Sequence, residues 1–417
     1  MKQLFAHLYG DKTIWALVIL LAFFSFMPVY SASTNLVYTV GTGKQTGYYL
    51  LKHLVHISVG LGVLWFSHKM EYKYFRAIGV FGLPIIGLVL LYTLMKGTTI
   101  GGANASRWVS ILGFQFQPSS TASIILLIYV AQYLVKIKDS VVEFWPSFLE
   151  LWLPVLIIVG LILPANFSTA ALIFLMVCIL VFVGKYPLKY LMSIIGLGIV
   201  FMGIFVLTAK AFPGMFPNRV DTWISRIDRF AGPDDGTKDL YQVENAKMAI
   251  ALGGIVGVGP GKGVQKNFLP QSSSDFIYAI IVEEYGLIVA LAVLFVYLLL
   301  FFRFLVAAHR APTLFGKLLV IGLGFFFTFQ ALINMGVAVS LLPTTGQTLP
   351  LISSGGTSIW MTCFALGAIL SVTKKEQEIQ QQELEKQDKE ERLQEELKKI
   401  EEERLKEALA EKEVVEL

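Results

Sequence analysis

The chain has 417 residues, of which 55% are hydrophobic and 15% charged, with a formal net charge of +4. Soluble domains contain about 45 to 50% apolar residues, so this composition excludes an ordinary soluble protein. Several apolar runs reach about 20 residues, the length that crosses the hydrocarbon core of a bilayer. The composition therefore indicates a polytopic membrane protein of the all-α class.

The apolar runs, taken in chain order, predict ten membrane-spanning helices. They lie near residues 14–32, 47–67, 74–95, 117–135, 148–164, 167–184, 187–209, 276–304, 315–341 and 354–373. A long loop, residues 210–275, separates the seventh span from the eighth, and a charged tail follows the tenth. We therefore divide the chain into a transmembrane domain, residues 1–373, and a helical tail, residues 374–417.

The basic residues between the spans predict the orientation in the membrane, because cytoplasmic loops are enriched in Lys and Arg. Twelve such residues lie in the N-terminal segment and the short loops of one face, whereas the short loops of the other face hold only Lys44, Lys96 and Arg107. The first face is therefore predicted to be cytoplasmic. Both termini belong to it, and the 210–275 loop is predicted to be extracytoplasmic.

The 210–275 loop contains an amphipathic stretch that runs into glycines, "YQVENAKMAIALGGIVGVGPGKG". We interpret this stretch as an interfacial or re-entrant helix. Irregular backbone at membrane depth is tolerated only inside protein or beside a water-filled cavity. The loop is therefore predicted to cap a cavity.

The tail is acidic and rich in helix-forming residues. From Lys374 onward it holds 10 basic and 16 acidic residues, which leaves 24 basic and 14 acidic residues for the membrane domain. Its apolar positions are too few for a sustained coiled coil. A solvated charged helix and a docking helix for a cytoplasmic partner both remain open.

A carboxylate stands at the start of the eighth span, in "FLPQSSSDFIYAIIVEEYG", where Asp275 precedes a long apolar run. A charged side chain beside hydrocarbon is costly, so it is expected to be paired structurally or used chemically. As a structural element Asp275 would cap the helix that follows. As a chemical group it would be a general base.

Three other polar clusters lie on the outer face, and each has a structural alternative. Arg107 and Trp108 precede the fourth span and are either an interfacial anchor or part of a site. Asn166, at a tight outer turn, is suited to cap a span. Residues 334–358, rich in Gly, Pro, Ser and Thr, form a turn or the wall of a cavity.

The motifs in these clusters resemble those of the SEDS family, which includes FtsW and RodA. The matching residues are "RW…FQPS", "YQ…GG…G.G.G…LP…DFI.A…EE.G" and "LP.TG..LP.IS.GG.S", in order over roughly residues 10–373. The resemblance implies ten transmembrane helices with both termini cytoplasmic. It also implies a glycosyltransferase that polymerises the glycan strands of peptidoglycan from lipid II, with inversion at the anomeric carbon.

The resemblance assigns the catalytic role to Asp275. Arg107 and Trp108 match a family motif, and we expect them to contact the diphosphate or the glycan. Further candidates for that contact are Arg226, Lys262, Lys266, Ser353 and Ser358. Mg²⁺ or Mn²⁺ is a further source of positive charge at the diphosphate. The sequence shows no cluster of metal ligands, and Cys178 and Cys363 lie in apolar runs typical of small core residues.

The sequence departs from the family pattern at five positions. Ser120 and Ser123 replace a family glutamate and lysine, so both members of a charged pair are missing. Removing both partners of a buried pair is close to neutral, whereas losing one is costly. Neutral residues also stand at Asn166, Gln271 and Ser273. The predicted site is therefore less charged than is usual in the family.

The alternative to a polymerase is a lipid II flippase or transporter, and the alternative to a division-type polymerase within the family is the elongation-type polymerase RodA. The stretch "LPTTGQTLPLIS" looks closer to the division-type FtsW. The resemblance implies partnership with a class B penicillin-binding protein transpeptidase and with other division or elongation proteins. It places the protein in the bacterial cytoplasmic (inner) membrane, at the division septum, and no nucleic-acid partner is expected.

Overall fold

The computed structural model describes residues 9–38, 46–97, 107–111, 114–211, 238–269 and 272–415. Within these ranges the chain is almost entirely helical, and its only sheet is a short antiparallel hairpin, β1 (Val109–Ile111) and β2 (Phe114–Phe116). The helices are α1 (Lys12–Tyr38), α2 (Thr46–Lys69), α3 (Phe75–Lys96), α4 (Pro118–Lys136), α5 (Phe144–Ile162), α6 (Phe167–Val183), α7 (Leu188–Ala211), α8 (Lys238–Gly253), α9 (Ile277–Arg310), α10 (Leu314–Ala338) and α11 (Gly356–Val415).

Eight helices among the described residues are long and apolar enough to cross a membrane. They are α1 to α5 and α9 to α11; α6 and α7 are apolar too, but their apolar segments are shorter. Together these ten helices coincide with the ten predicted spans. The prediction of an all-α membrane protein is confirmed, and the count of ten spans stays a prediction.

Burial separates the helices into a central layer and a lipid-facing layer. The apolar segments of α4, α10 and α11 are 67%, 78% and 72% buried, whereas those of α2, α3 and α9 are 28% buried. An α-helix satisfies its backbone polar groups internally, so a lipid-facing helix needs no polar side chains for that purpose. Ser120, Ser123, Gln330 and Ser358, which line the cavity described below, belong to the central layer.

A π-helical turn interrupts α5 at Phe148–Trp152. Pro154, just beyond it, has no N–H to donate to the carbonyl of Glu150. The hydroxyl of Tyr129 on α4 donates to that carbonyl instead. The freed acceptor is thus satisfied by a neighbouring helix, as a membrane interior requires.

The end of the bundle near the N-terminus is tied together by Asp11. One carboxylate oxygen accepts the backbone N–H of Thr13, in the first turn of α1, at 2.8 Å. The other accepts the Nε–H of Arg303 at an N–O distance of 2.6 Å. The Asp11 N–H donates to Thr373 Oγ1 at 3.0 Å. Three helices, α1, α9 and α11, are therefore joined at this end.

The tail continues the last membrane helix without a break. α11 is 60 residues long and runs from Gly356 to Val415. Ion pairs join Lys374 and Lys375 to Glu378 at 3.7 and 3.1 Å. Such exposed pairs contribute little stability, about 1 kcal/mol or less. The helical prediction for the tail is confirmed as far as Val415, and its partner stays open.

The described part of the outer loop packs against a break in α9. Gly286, with φ +78°, interrupts that helix. Val258 and Gly259 donate to the carbonyls of Glu283 and Glu284 at 2.9 and 3.0 Å. A Cβ on Gly286 would lie 2.3 Å from a loop carbonyl, so only glycine permits this approach. α8 therefore leads into a segment that packs against α9, and the interfacial or re-entrant position of this segment stays a prediction.

The orientation can be tested with single cysteines at exposed positions on the two faces. Asn267→Cys in the outer loop should react with a membrane-impermeant maleimide in intact spheroplasts, whereas Ser140→Cys, between α4 and α5, should react only after permeabilisation. Native Cys178 and Cys363 are 8% and 1% exposed, so their background labelling should be low. The reverse labelling pattern would invert the predicted orientation.

Candidate functional site

Asp275 lies in the turn that leads into α9, with Phe276 at the N-cap position of that helix. Its backbone carbonyl accepts the side-chain amide of Asn334 on α10 at 2.8 Å. The same amide donates to the carbonyl of Gln347 at 2.7 Å. Asn334 is 1% exposed and therefore joins the Asp275 turn to the segment after α10.

Gly346 brings the Asp275 carboxylate and the Arg107 guanidinium to one place. Gly346 has φ +67°, which an L side chain rarely adopts. A Cβ at this position would lie 3.3 Å from Asp275 Oδ2 and 3.6 Å from Arg107 Nη1. The Asp275 carboxylate and the Arg107 guanidinium, which come from separate parts of the sequence, therefore both lie beside Gly346.

Arg107 is held at the start of the β1–β2 hairpin by the turn between α5 and α6. Its Nε donates to the carbonyl of Ala165 at 2.7 Å, which leaves the Nη groups directed elsewhere. The next residue, Asn166, accepts the N–H of Thr169 at 3.3 Å and caps α6. The structural interpretation of Asn166 as a helix cap is thus confirmed, and Trp108, half-buried, follows Arg107 in the hairpin.

A polar cavity with about 460 Å³ of empty space lies between the central helices. Gly346 lines this cavity, and the Asp275 carboxylate lies beside Gly346. The polar side chains that line it include Gln117, Ser120, Ser123, Thr169, Gln330 and Ser358. A second cleft of about 290 Å³ is lined by Arg107, Ser119 and Asn166. Because Asn166 lines both spaces, the two are neighbours.

The two serines that replace the family's charged pair face this cavity. Ser120 lines the cavity at the first turn of α4, and Ser123 lines it one turn further on. Ser123 Oγ donates to the carbonyl of Ser119 at 2.7 Å, so its hydroxyl is satisfied within the helix. The cavity therefore tolerates the absence of both charges without an unpaired partner at these positions.

Ser353 and Ser358 occupy different places. Ser353 is 2% exposed. It donates to the carbonyl of Ser274 at 2.6 Å and accepts the N–H of Leu349 at 2.7 Å. Ser353 therefore fixes the backbone of Ser274, the residue before Asp275. Ser358, at the start of α11, lines the polar cavity, and its hydroxyl lies 3.1 Å from Thr348 Oγ1.

The remaining predicted cations lie in the outer loop or beyond the described residues. Lys262 is exposed, and Lys266 is 6% exposed and paired with Glu284 at 3.2 Å. Arg226 lies outside the described residues. The structure thus places Ser358 in the wall of the polar cavity, Arg107 in the neighbouring cleft and the Asp275 carboxylate beside Gly346. The diphosphate role of Lys262, Lys266 and Arg226 stays a prediction.

Sequence reasoning marked residues 334–358 as a cavity wall but missed the individual roles of Asn334, Gly346 and Gln347. Gln347 is 7% exposed and donates to Thr169 Oγ1 at 2.6 Å, which joins this segment to α6. The signal for Gly346 was present in "LPTTGQ", because a glycine between turn residues indicates a positive φ. The sequence did not indicate which side chains would surround Gly346.

The described residues hold no group of three His, Cys, Asp or Glu side chains that could bind a metal ion. Mg²⁺ is commonly bound by one or two carboxylates together with substrate phosphates. Asp275 offers one carboxylate of this kind, so a cation held there would take its other ligands from the substrate's phosphates and from water. The dependence on a divalent cation stays a prediction.

The fold and the site define a polytopic α-helical membrane protein with a carboxylate and a guanidinium beside one glycine of a polar cavity wall. A family model described as cell cycle protein, covering FtsW, RodA and SpoVE, matches residues 11–378. The chain belongs to this FtsW/RodA/SpoVE family, and the family interpretation of the sequence is confirmed.

Relatives and solved structures agree with this membership. The probable peptidoglycan glycosyltransferase FtsW of Geobacter sulfurreducens is 33% identical over 88% of this chain and 95% of its own. That of Enterococcus hirae is 32% identical over 86% and 91%. RodA of Thermus thermophilus shares the fold, with a TM-score of 0.62 at 23% identity over 88% of this chain and 97% of its own.

A further solved structure has a higher TM-score. One chain of a peptidoglycan synthase complex, described as coordinating polymerization and crosslinking, matches with a TM-score of 0.67. It is 23% identical and the match covers 88% of this chain and 98% of that one. At this identity the likeness establishes the fold alone.

Proposed function

We propose that this protein is a peptidoglycan glycosyltransferase that polymerises lipid II. The observation that carries the proposal is the position of the Asp275 carboxylate, which lies with the Arg107 guanidinium beside Gly346, a residue of the cavity wall. Membership of a family whose curated relatives are named peptidoglycan glycosyltransferases supports the same reaction. The reaction requires an acceptor hydroxyl, a base to take its proton and a cation to stabilise the leaving group.

Asp275 acts as the general base. A sugar hydroxyl of one lipid II attacks the anomeric carbon of another, and the Asp275 carboxylate accepts the proton of that hydroxyl. The bond from the anomeric carbon to the diphosphate oxygen breaks as the new glycosidic bond forms. A single displacement of this kind inverts the configuration at the anomeric carbon.

Arg107 stabilises the leaving group. Diphosphate departs with its negative charge, so no general acid is obligatory, and a guanidinium can hold two phosphate oxygens at once. The Ala165 carbonyl fixes Nε, so the remaining N–H groups are oriented before the substrate arrives. Such preorganised charge lowers the barrier because it needs no rearrangement during the reaction. Mg²⁺ or Mn²⁺ would add positive charge to the diphosphate.

Several finer assignments follow from the relatives. Their name FtsW supports the division type, with action at the septum of the bacterial inner membrane, over the elongation-type RodA. The likeness to a chain of a peptidoglycan synthase complex supports a class B penicillin-binding protein as the crosslinking partner. Imaging of depleted cells separates the two types, since loss of the division enzyme should produce filaments and loss of the elongation enzyme should produce round cells.

The test of the function is whether the purified chain in detergent joins lipid II without a second compartment. We expect glycan polymer on a gel, because the proposed base and the proposed cation both lie beside Gly346 in one chain. A flippase would move the same substrate across a bilayer and make no polymer. If the protein moved fluorescent lipid II across the membrane of proteoliposomes but made no polymer in detergent, it would be a flippase and not a polymerase.

A further inference from the structure

A cluster of buried polar side chains joins α1, the outer loop and α9. Lys266, Glu284 and Ser31 are 6%, 0% and 3% exposed. Lys266 Nζ donates to Ser31 Oγ at 2.7 Å, to the carbonyl of Gly261 at 2.7 Å and to Glu284 Oε1 at 3.2 Å. The Ser31 hydroxyl donates to the same carboxylate oxygen. An ammonium group has three donors, so all those of Lys266 are used within the protein.

Two successive carboxylates of α9 hold the loop on this side. Glu284 Oε2 accepts the backbone N–H of Gly261 at 3.0 Å. Glu283 Oε1 accepts the backbone N–H groups of Val264 and Gln265 at 2.7 and 3.0 Å. The loop from residue 261 to residue 266 is therefore fixed by side chains of α9 as well as by Lys266.

The Lys266–Glu284 ion pair closes a loop that contains Asp275. The two residues are 18 positions apart, and Asp275 lies nine residues from each. Between them, Ser272 Oγ donates to the carbonyl of Ala32 at 3.4 Å. Closing a loop reduces the conformations open to the residues inside it. The pair therefore restricts where the Asp275 carboxylate can lie relative to Arg107.

Buried ion pairs contribute little net stability compared with apolar packing, so stability alone is a weak reason for one here. A fully hydrogen-bonded pair does specify one arrangement of the groups that make it.

We propose that Ser31, Lys266 and Glu284, here called the buried latch, are positioning residues that hold Asp275 where it can accept the acceptor's proton. This inference rests on the proposed role of Asp275 as general base. It assigns Lys266 to the placement of the catalytic turn, because its ammonium protons are already bound by Ser31, Gly261 and Glu284.

The kinetic test compares Lys266→Met, Glu284→Gln and the double variant with wild type on lipid II. We expect kcat to fall by about 100-fold with little change in KM, since a small misplacement of a catalytic group costs about that factor. The double variant should melt closer to wild type than either single variant, because neither charge is left alone. Its kcat should stay low. Lys247→Met, an exposed lysine of α8, is the matched control and should keep wild-type kinetics.

A distance measurement reports on the latch without any activity. Spin labels at Phe268→Cys in the loop and Leu342→Cys after α10, both exposed, would be placed in a chain lacking the native cysteines. Pulsed dipolar spectroscopy should give a narrow distance distribution with the latch intact. Lys266→Met and the double variant should broaden it, while Lys247→Met should not.

Two results would overturn the latch. A folded Lys266→Met with wild-type kcat and a narrow distance distribution would show that the ion pair does not position the turn. A loss confined to KM, with the distribution still narrow, would return Lys266 to contact with the diphosphate. If wild type makes no polymer, the proposed function fails, and the distance distribution by itself decides whether the latch orders the loop.

Discussion

Asp275→Asn should lower the rate of glycan polymerisation by at least about 100-fold, because an amide cannot accept the proton of the attacking hydroxyl. Asparagine has nearly the same volume and keeps the backbone carbonyl that Asn334 binds. The free energy of unfolding should therefore change by about 1 kcal/mol or less. The measurement is kcat on lipid II together with a thermal melt of both proteins in the same detergent.

The control for this substitution is Glu244→Gln, which removes an exposed carboxylate on α8 in the same outer loop. It should leave both kcat and the melting temperature unchanged. Polymer at the wild-type rate from a well-folded Asp275→Asn would remove the general base from the mechanism. The search for a base would then move to the carboxylates of Glu283 and Glu284 on α9.

Arg107→Gln should reduce kcat/KM by about 100-fold, the loss typical of removing one preorganised donor from a developing charge. The guanidinium borders the same point as the Asp275 carboxylate and is fixed by the carbonyl of Ala165. Arg107→Lys should recover only part of the loss, because lysine keeps the charge but not the paired donors. Steady-state kinetics with lipid II measure both effects.

Lys96→Gln is the matched control for Arg107, since it removes an exposed cation at the end of α3 on the same predicted face. Its kinetics should equal those of wild type, which separates a specific contact from a general attraction of the anionic substrate. An Arg107→Gln protein with unchanged kcat/KM would restore the interfacial-anchor interpretation of Arg107.

The missing charged pair has a structural explanation once the cavity is known. Ser120 and Ser123 both line it, and neither leaves a charged partner exposed to an apolar wall. The reaction proposed here uses one carboxylate and one guanidinium, so it does not require the pair. The neutral residues at these positions are therefore compatible with catalysis by Asp275.

The sequence by itself determined the class of protein, the positions of the helices and the candidate base. Apolar runs about 20 residues long are a local property of the chain, and the ten predicted runs coincide with ten helices. The position of Asp275 against such a run was equally visible, because a charge beside hydrocarbon needs a reason. None of these inferences depended on which helices would become neighbours.

Only the tertiary structure decided which polar residues meet. Arg107, Asp275 and Gly346 come from segments far apart in sequence, and the tertiary structure places both charged groups beside Gly346. Lys266 shows the same limit, since the sequence leaves a lone basic residue in an outer loop either solvated or available to a phosphate. Its partners Ser31 and Glu284 lie 235 and 18 residues away. Long-range packing sets such contacts, and the spacing of residues along the chain carries little information about it.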